Sequence, residues 1–316
     1  MLRKVKKHII TSIIFGAVLY LGLSVYADYQ SVINSFSAFS LLLLPVLLLL
    51  SYLNYFTRFL KWHYYLRVLK IKTSFKDSFL IFMSGLIMSV TPGKFGELLK
   101  SYMLKKVSDE PISKTAPIIL VERITDFLSL LLIAVIGSYI YGTGEEIVVG
   151  TSIFFILLVF FLSNKSLSAK TFNLLYKIKF VKKLIPGLEE AFQSSFEMLR
   201  IKPLILMFIV SFVSWFFECL GFYLVLNNFD STVSLFWASF TYAFATILGS
   251  ITMLPGGLGV TDGSLTFILV QKGFSADISV TATFIIRVVT LWFAIFVGII
   301  SVLLYQRRFG NIEAPQ

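Results

Sequence analysis

Long apolar segments alternate with short polar linkers along the whole chain. The segments from Leu41 to Leu53 and from Ile153 to Leu162 are apolar on every side. A helix that is apolar all round suits a membrane span better than the surface of a soluble domain. The pattern therefore predicts an all-α polytopic membrane protein with about six full spans. We place these spans at residues 8–27, 38–57, 115–141, 147–163, 203–226 and 278–304.

Two further apolar segments are interrupted by proline and glycine before they are long enough to cross a bilayer comfortably. Proline removes a backbone donor, and glycine permits the conformations of a sharp reversal. Irregular backbone is tolerated at membrane depth only where protein or a water-filled cavity surrounds it. We therefore predict two re-entrant helical hairpins, at 77–106 and 235–272. The residues expected to shape them are Pro92, Gly93, Gly96, Pro255, Gly256, Gly257 and Gly259.

The charge distribution predicts an orientation in the membrane. The formal net charge of +11 would suggest nucleic acid in a soluble protein, but membrane proteins collect lysine and arginine in cytoplasmic loops. We interpret the stretch from Arg58 to Arg67 and the lysines Lys100, Lys105 and Lys106 as cytoplasmic helix ends. Only Lys272 of the 28 basic residues falls in a predicted outer loop. The expectation is a multi-pass cell-membrane protein with cytoplasmic N- and C-termini and no nucleic-acid partner.

An internal repeat is predicted within a single membrane domain, 1–316. Pro92 precedes Arg123 by 31 residues, and Pro255 precedes Arg287 by 32. The first repeat covers 38–141 and the second 203–306, with a basic, amphipathic cytoplasmic connector at 164–202. The first hairpin would enter from the cytoplasmic face and the second from the outer face, as in transporters with inverted-topology repeats. The alternative is that both hairpins serve only for packing.

Ionisable residues inside the apolar segments are the candidate site. Each costs about 2.5–3.5 kcal/mol on insertion scales, so such residues are expected to face the protein interior and to pair. Lys94, Arg123 and Arg287 are predicted to receive an anionic group, while the carboxylates pair with them or carry protons. Alternatively, arginine–carboxylate pairs only hold the hairpins in place. The predicted substrate-binding residues are Lys94, Glu97, Glu122, Arg123, Asp126, Asp262 and Arg287, and Glu218 is a further ionisable residue in an apolar segment.

Several other kinds of site are excluded by the residues present. The phosphate-binding spacing G-x-x-x-x-G-K-[ST] is missing, so no nucleotide is expected. The chain has one cysteine and two histidines, which makes a dedicated metal site improbable, and no Ser/His/Asp set is recognisable. We therefore expect no cofactor and a transporter rather than an enzyme. The starts of the half-helices after the two breaks are suited to a phosphate group.

Three motifs carry a resemblance to a known family: Pro92-Gly-Lys-Phe-Gly-Glu-Leu-Leu-Lys100, Glu122-Arg-x-x-Asp126 and Leu254-Pro-Gly-Gly-Leu-Gly259. In this order and spacing they resemble the lysylphosphatidylglycerol synthase membrane-region family, also called the flippase-like domain family, over nearly the whole chain. Asp262 departs from the glutamate that is usual in the family. Because the chain ends at Gln316, we expect a stand-alone member without the soluble aminoacyl-transferase domain.

The resemblance implies a function in lipid movement, because family members are implicated in moving aminoacylated phosphatidylglycerol or polyprenyl-phosphate sugars between leaflets. We therefore predict a lipid flippase- or scramblase-like transporter of an anionic lipid-linked headgroup, which passes through a polar groove between the hairpins. Its partners would be membrane lipids, and a homo-oligomer is left open. The alternatives are a membrane-embedded transferase or phosphatase acting on a lipid-linked phosphate, and a non-transporting accessory subunit of glycan assembly.

Overall fold

The computed structural model describes residues 2–91, 96–165, 185–229 and 232–310, with side chains from residue 10 onward. These residues form helices and no strand. Pro92, Gly93 and Lys94 of the predicted site lie outside the described residues, as do residues 166–184 of the predicted connector.

The helices follow one another with short connections. Short 3₁₀ turns at Leu41–Leu43, Leu86–Met88 and Pro255–Gly257 and a π-helical turn at Val288–Trp292 adjoin them. The α-helices are α1 (Leu2–Tyr26), α2 (Tyr29–Ala38), α3 (Leu44–Val68), α4 (Phe75–Gly85), α5 (Leu99–Ser108), α6 (Ile112–Tyr141), α7 (Glu145–Leu162), α8 (Ile185–Met198), α9 (Ile201–Asn227), α10 (Leu235–Ile251), α11 (Val260–Lys272), α12 (Ala276–Arg287) and α13 (Phe293–Phe309).

Several of these helices are able to cross a membrane. Among the described residues, four helical stretches are long and apolar enough by length and composition, and the pair α1–α2, which is bent by 102°, makes up to a fifth. The predicted span at 115–141 corresponds to α6, which has 30 residues. The predicted all-α polytopic class is confirmed. The four stretches are Leu41–Val68, Glu145–Leu162, Ile201–Asn227 and Ala276–Phe309.

The first interrupted segment consists of α4 and α5, which pack against each other. After α4 the chain runs through the turn Leu86–Met88 to Thr91. The Thr91 hydroxyl donates to the Met88 carbonyl at 2.6 Å and accepts from the Gly96 N–H at 3.0 Å. A side chain on Gly85 would collide with Lys100, because a β-carbon there would lie 2.5 Å from Lys100 Cγ. The two arms are therefore closely packed.

The second interrupted segment consists of α10 and α11, which also pack against each other. Between them Gly256, Gly257 and Gly259 have φ values of 62°, 66° and 88°, in the region that favours glycine. Gly249 faces the start of α11, where a β-carbon would lie 1.8 Å from Thr261 Oγ1. In each segment, a glycine of the first arm thus allows the second arm to approach.

The tips of the two segments meet. Val90 lies at the end of the first arm of the first segment. It shares a small buried apolar cluster with Leu258, Leu291 and Ile295. Helix α1 contacts both segments as well, since Ser12 Oγ donates to the Val90 carbonyl at 3.2 Å and the Tyr20 hydroxyl donates to Asp262. The fold therefore brings both interrupted segments, which we call the first and second hairpin, to a common centre.

Candidate functional site

A cavity of about 560 Å³ lies between the two hairpins. Leu86 and Ser89 line it from the first hairpin, and Gly256 and Thr261 line it from the second. Helices α3, α6, α7, α9, α12 and α13 and the π-helical turn Val288–Trp292 complete the wall. Its charged side chains are Arg58, Arg123, Glu218 and Arg287.

Lys61 and Asp126 form the most deeply buried ion pair beside this cavity. The Lys61 side chain is 0% exposed and its ammonium contacts the Asp126 carboxylate. The ammonium also donates to Ser211 Oγ at 2.7 Å, to Thr125 Oγ1 at 3.2 Å and to the Glu122 carbonyl at 3.2 Å. A buried charge is tolerated when its donors are satisfied in this way. This pair therefore ties α3 to α6 and, through Ser211, to α9.

Lys100, in the first turn of α5, pairs with two carboxylates. Its ammonium lies 2.7 Å from Glu122 Oε2 and 3.4 Å from Glu97 Oε2. It also lies 4.8 Å and 4.9 Å from the ring centroids of Trp62 and Phe82, which is cation–π distance. Lys100 therefore fastens the first hairpin to α6 and to the aromatic residues of α3 and α4.

Arg123 connects the first hairpin to the cavity. Its guanidinium contacts the Glu97 carboxylate and lies 3.8 Å from Asp126 Oδ2. Arg58 approaches the same Asp126 oxygen from α3, also at 3.8 Å. The network around α6 thus holds four cations and three carboxylates, so its formal charge is +1: Arg58, Lys61, Lys100 and Arg123 against Glu97, Glu122 and Asp126.

Asp262 and Arg287 form the corresponding pair at the second hairpin. Asp262 Oδ1 accepts from Arg287 Nε at 3.1 Å and from the Tyr20 hydroxyl. Its other oxygen accepts from the Gly259 N–H at 2.9 Å and so caps the start of α11. Arg287 also donates to the Gly256 carbonyl. The helix start proposed for a phosphate is therefore already capped by the protein's own carboxylate.

The two halves repeat one pairing. Glu97 follows the first break and meets an arginine 26 residues later, and Asp262 follows the second break and meets an arginine 25 residues later. Each arginine also lines the cavity. A π-helical turn, Val288–Trp292, begins directly after Arg287. Such turns are frequent at functional sites.

The side of the cavity formed by α7 is mostly apolar. Gly150, Thr151, Phe154 and Phe155 line it there, and the Phe155 ring stacks on Phe127 of α6 at 4.4 Å. Phe154 is 60% exposed on the outer surface of the helix bundle. Helix α7 is therefore a thin wall between the cavity and the space that lipid occupies.

Comparison with known proteins identifies the family. The model of the lysylphosphatidylglycerol synthase TM region matches residues 10–298. The chain belongs to this family. The resemblance inferred from the three sequence motifs is thus confirmed.

Archaeal relatives of this chain carry the name UPF0104 membrane protein. A relative from Methanocaldococcus jannaschii is 24% identical over 232 residues, which are 70% of this chain and 95% of the relative. A relative from Methanothermobacter thermautotrophicus is 25% identical over 268 residues, which are 77% of this chain and 79% of the relative. One from Pyrococcus horikoshii is 21% identical over 327 residues, 94% and 97% of the two chains.

The predicted site residues of this family member fall into two groups. Arg123 and Arg287 line the cavity. The four carboxylates Glu97, Glu122, Asp126 and Asp262 are buried in ion pairs with lysine or arginine. Lys94 lies outside the described residues. A role in substrate binding stays a prediction for all of them.

Three basic residues of the site were missed at the sequence level. Arg58 and Lys61 were interpreted as part of an interfacial helix end, and Lys100 as part of a cytoplasmic one. The interpretation is wrong for Lys61 and Lys100, which are 0% and 2% exposed. Arg58 lines the cavity, together with Glu218. Within the described ranges, no group of three or more His, Cys, Asp or Glu side chains could hold a metal ion.

Proposed function

We propose that this protein is a lipid flippase- or scramblase-like transporter, not an enzyme, and that it moves an anionic lipid headgroup between leaflets. The headgroup would be that of a phospholipid or of a polyprenyl-phosphate sugar. The single observation that carries the proposal is that three arginines, Arg58, Arg123 and Arg287, converge on one cavity between two hairpins.

Guanidinium groups suit a phosphate because they present a planar fork of donors that binds its oxygens in pairs. A guanidinium group has five N–H donors, so an arginine that pairs with a carboxylate still has N–H groups available for a ligand. Nε of Arg123 has no hydrogen-bond partner in the described part of the chain, although it is buried. The ion pairs can therefore hold the arginines in position while other donors remain for a ligand.

The apolar wall supports a lipid rather than a free phosphate as substrate. A headgroup in the cavity would lie beside α7, whose Phe154 reaches the outer surface of the bundle. The acyl or prenyl tail would stay in the bilayer, where its burial costs nothing. Only the polar part of the lipid would then need a path through the protein.

The repeated pairing of a hairpin carboxylate with a later arginine supports the proposed inverted repeat. In this proposal the Glu97–Arg123 half opens to the cytoplasmic leaflet and the Asp262–Arg287 half to the outer leaflet of the cell membrane, with both termini cytoplasmic. Inverted repeats of this kind place the substrate between them and expose it alternately to each side.

The test uses proteoliposomes that contain headgroup-labelled phosphatidylglycerol and measures the rate at which label crosses the bilayer. Arg58→Gln should reduce this rate about tenfold or more, because a hydrogen bond to a charged group contributes about 1.5–3 kcal/mol. The control is Arg67→Gln, which lies on the same helix but outside this cavity and on the surface. Equal rates for the two variants would contradict the proposal.

The same samples address the enzymatic alternative. After the assay, the lipids are extracted and their masses measured. A transporter leaves the labelled lipid chemically unchanged. A new lipid species whose amount rises with protein concentration would instead favour a transferase or phosphatase.

A further inference from the structure

Glu218 is a carboxylate that faces the central cavity. It lies on α9, within the span Ile201–Asn227, and is 9% exposed. It is the only carboxylate that lines the central cavity among the residues the structure describes. Its Oε2 accepts a hydrogen bond of 2.7 Å from the Tyr242 hydroxyl on α10.

Four further carboxylates near the hairpins are not among the residues that line the cavity. Glu97, Glu122, Asp126 and Asp262 each form an ion pair with a lysine or arginine side chain. A proton on any of them would break such a pair and would reach a bound headgroup only indirectly. A proton on Glu218 would change the charge at the cavity surface itself.

Every helix that packs on α9 near this position presents a charged or titratable group to the cavity. Helix α3 presents Tyr55 and Arg58, α6 presents Arg123, α10 presents Tyr242 and α12 presents Arg287. Arg287, Tyr55 and Tyr242 interact electrostatically with Glu218. Cys219 follows Glu218 but is 0% exposed. The cavity thus has three guanidinium groups around one carboxylate.

We propose that Glu218 is the proton-binding residue of the transport site and that the cavity takes up one proton together with one anionic headgroup. This inference rests on the proposed transport function. Intramembrane carboxylates that face a water-filled cavity serve as proton relays in pumps and transporters. The proton comes from water on the acidic side, binds a Glu218 carboxylate oxygen, and returns to water on the other side when the headgroup leaves.

The direction of the effect follows from charge. With Glu218 ionised, its negative charge opposes an anionic headgroup. Protonation removes this charge, so the headgroup binds more tightly at low pH. By linkage, a bound headgroup favours protonation of Glu218 by the same factor. A pH gradient should therefore drive net headgroup movement toward the less acidic side.

The first test measures binding of dioleoylphosphatidylglycerol to the purified protein through tryptophan fluorescence, because Trp215 lines the cavity. Between about pH 5 and about pH 9 the affinity of the wild type should fall by about 5- to 150-fold, the usual range of coupling between two sites. Glu218→Gln should bind at the low-pH level throughout. The control Glu197→Gln, which removes an exposed ion pair with Arg200, should keep the wild-type curve.

A second variant keeps the test decisive if Glu218→Gln does not fold. Tyr242→Phe removes the hydroxyl that donates to the carboxylate, and a donor stabilises the ionised form. Its binding curve should therefore keep its shape and move to higher pH. A purely structural effect of this variant would lower affinity at all pH values without moving the midpoint.

The second test applies a pH gradient to proteoliposomes. Wild-type flux should be larger toward the less acidic side, and Glu218→Gln should transport equally under both gradients. Affinity that is independent of pH in the wild type, or a wild-type pH curve in Glu218→Gln, overturns the inference. Wild-type transport at the same rate under both pH gradients also overturns the inference about Glu218, but it leaves the proposed transport function intact. A wild type with no flux at any pH overturns the transport function itself.

Discussion

Arg287 Nε donates a hydrogen bond of 3.1 Å to Asp262 Oδ1, and the two side chains are 9% and 0% exposed. Removing one partner of such a pair leaves the other charge buried without compensation. Asp262→Ala should therefore lower the free energy of unfolding by about 3–5 kcal/mol. Unfolding in mixed detergent micelles, followed by circular dichroism, measures the change.

An exposed ion pair provides the matched control. Glu197 and Arg200 lie 2.9 Å apart, and their side chains are 28% and 57% exposed. Glu197→Ala should change the free energy of unfolding by less than about 1 kcal/mol, because water screens this pair. If both alanine variants lost the same stability, burial would not be what makes the Asp262–Arg287 pair important.

Gly298 allows α13 to pack against the backbone of the first hairpin. A β-carbon at Gly298 would lie 2.3 Å from the Ile87 backbone nitrogen and 2.8 Å from its Cα. Gly298→Ala should therefore destabilise the protein by about 1–3 kcal/mol through overpacking. In Gly263→Ala the new methyl group meets open space, and removal of a helical glycine should be neutral or stabilise by about 0.5–1 kcal/mol. Equal melting temperatures of the two variants would contradict this close packing.

The orientation in the membrane can be tested with single cysteines at Lys105 and Lys272, both of which are exposed. A membrane-impermeant maleimide should label Lys272→Cys in intact cells and Lys105→Cys only after permeabilisation. The parent protein is a suitable background, because its single cysteine, Cys219, is 0% exposed. Labelling of both positions from the same side would exclude opposite entry faces for the two hairpins.

The proposed ligand contact of the arginines predicts a loss of transport even when charge is kept. Arg123→Lys and Arg287→Lys retain the positive charge but lose the planar fork of donors. Both variants should fold, but they should transport lipid more slowly than the wild type. In oriented proteoliposomes the two variants should differ in the leaflet from which the lipid enters poorly. Variants that transport at the wild-type rate in both directions would remove these residues from the transport site.

The interrupted helices could be predicted because their signals are local. Proline and glycine act on the backbone within one or two turns, so the breaks near Pro92 and Pro255 are visible in any window of sequence. Glu122, Arg123 and Asp126 of α6 and Arg287 of α12 were recognisable for a related reason, since they lie in apolar surroundings. The motif Glu122-Arg-x-x-Asp126 contains the residues of α6.

The basic half of the site could not be predicted, because the same residues suit two environments. Lys61 stands between Leu60 and Trp62, with arginines nearby, as in an interfacial helix end. What distinguishes a buried lysine is its partner, and Asp126 lies 65 residues further along the chain. Lys100 was ambiguous because Lys105 and Lys106, on the same helix, are exposed. Tertiary pairing decided the location in both cases.

The distance along the chain between Lys61 and Asp126 has a consequence for biosynthesis. The lysine leaves the ribosome 65 residues before the carboxylate that neutralises it. At synthesis rates of 5–20 residues per second, the interval is roughly 3–13 s. During this time α3 is complete but its ammonium has no acidic partner from α6. We therefore expect the nascent helix to remain at the membrane surface or beside the insertion machinery until α6 is integrated.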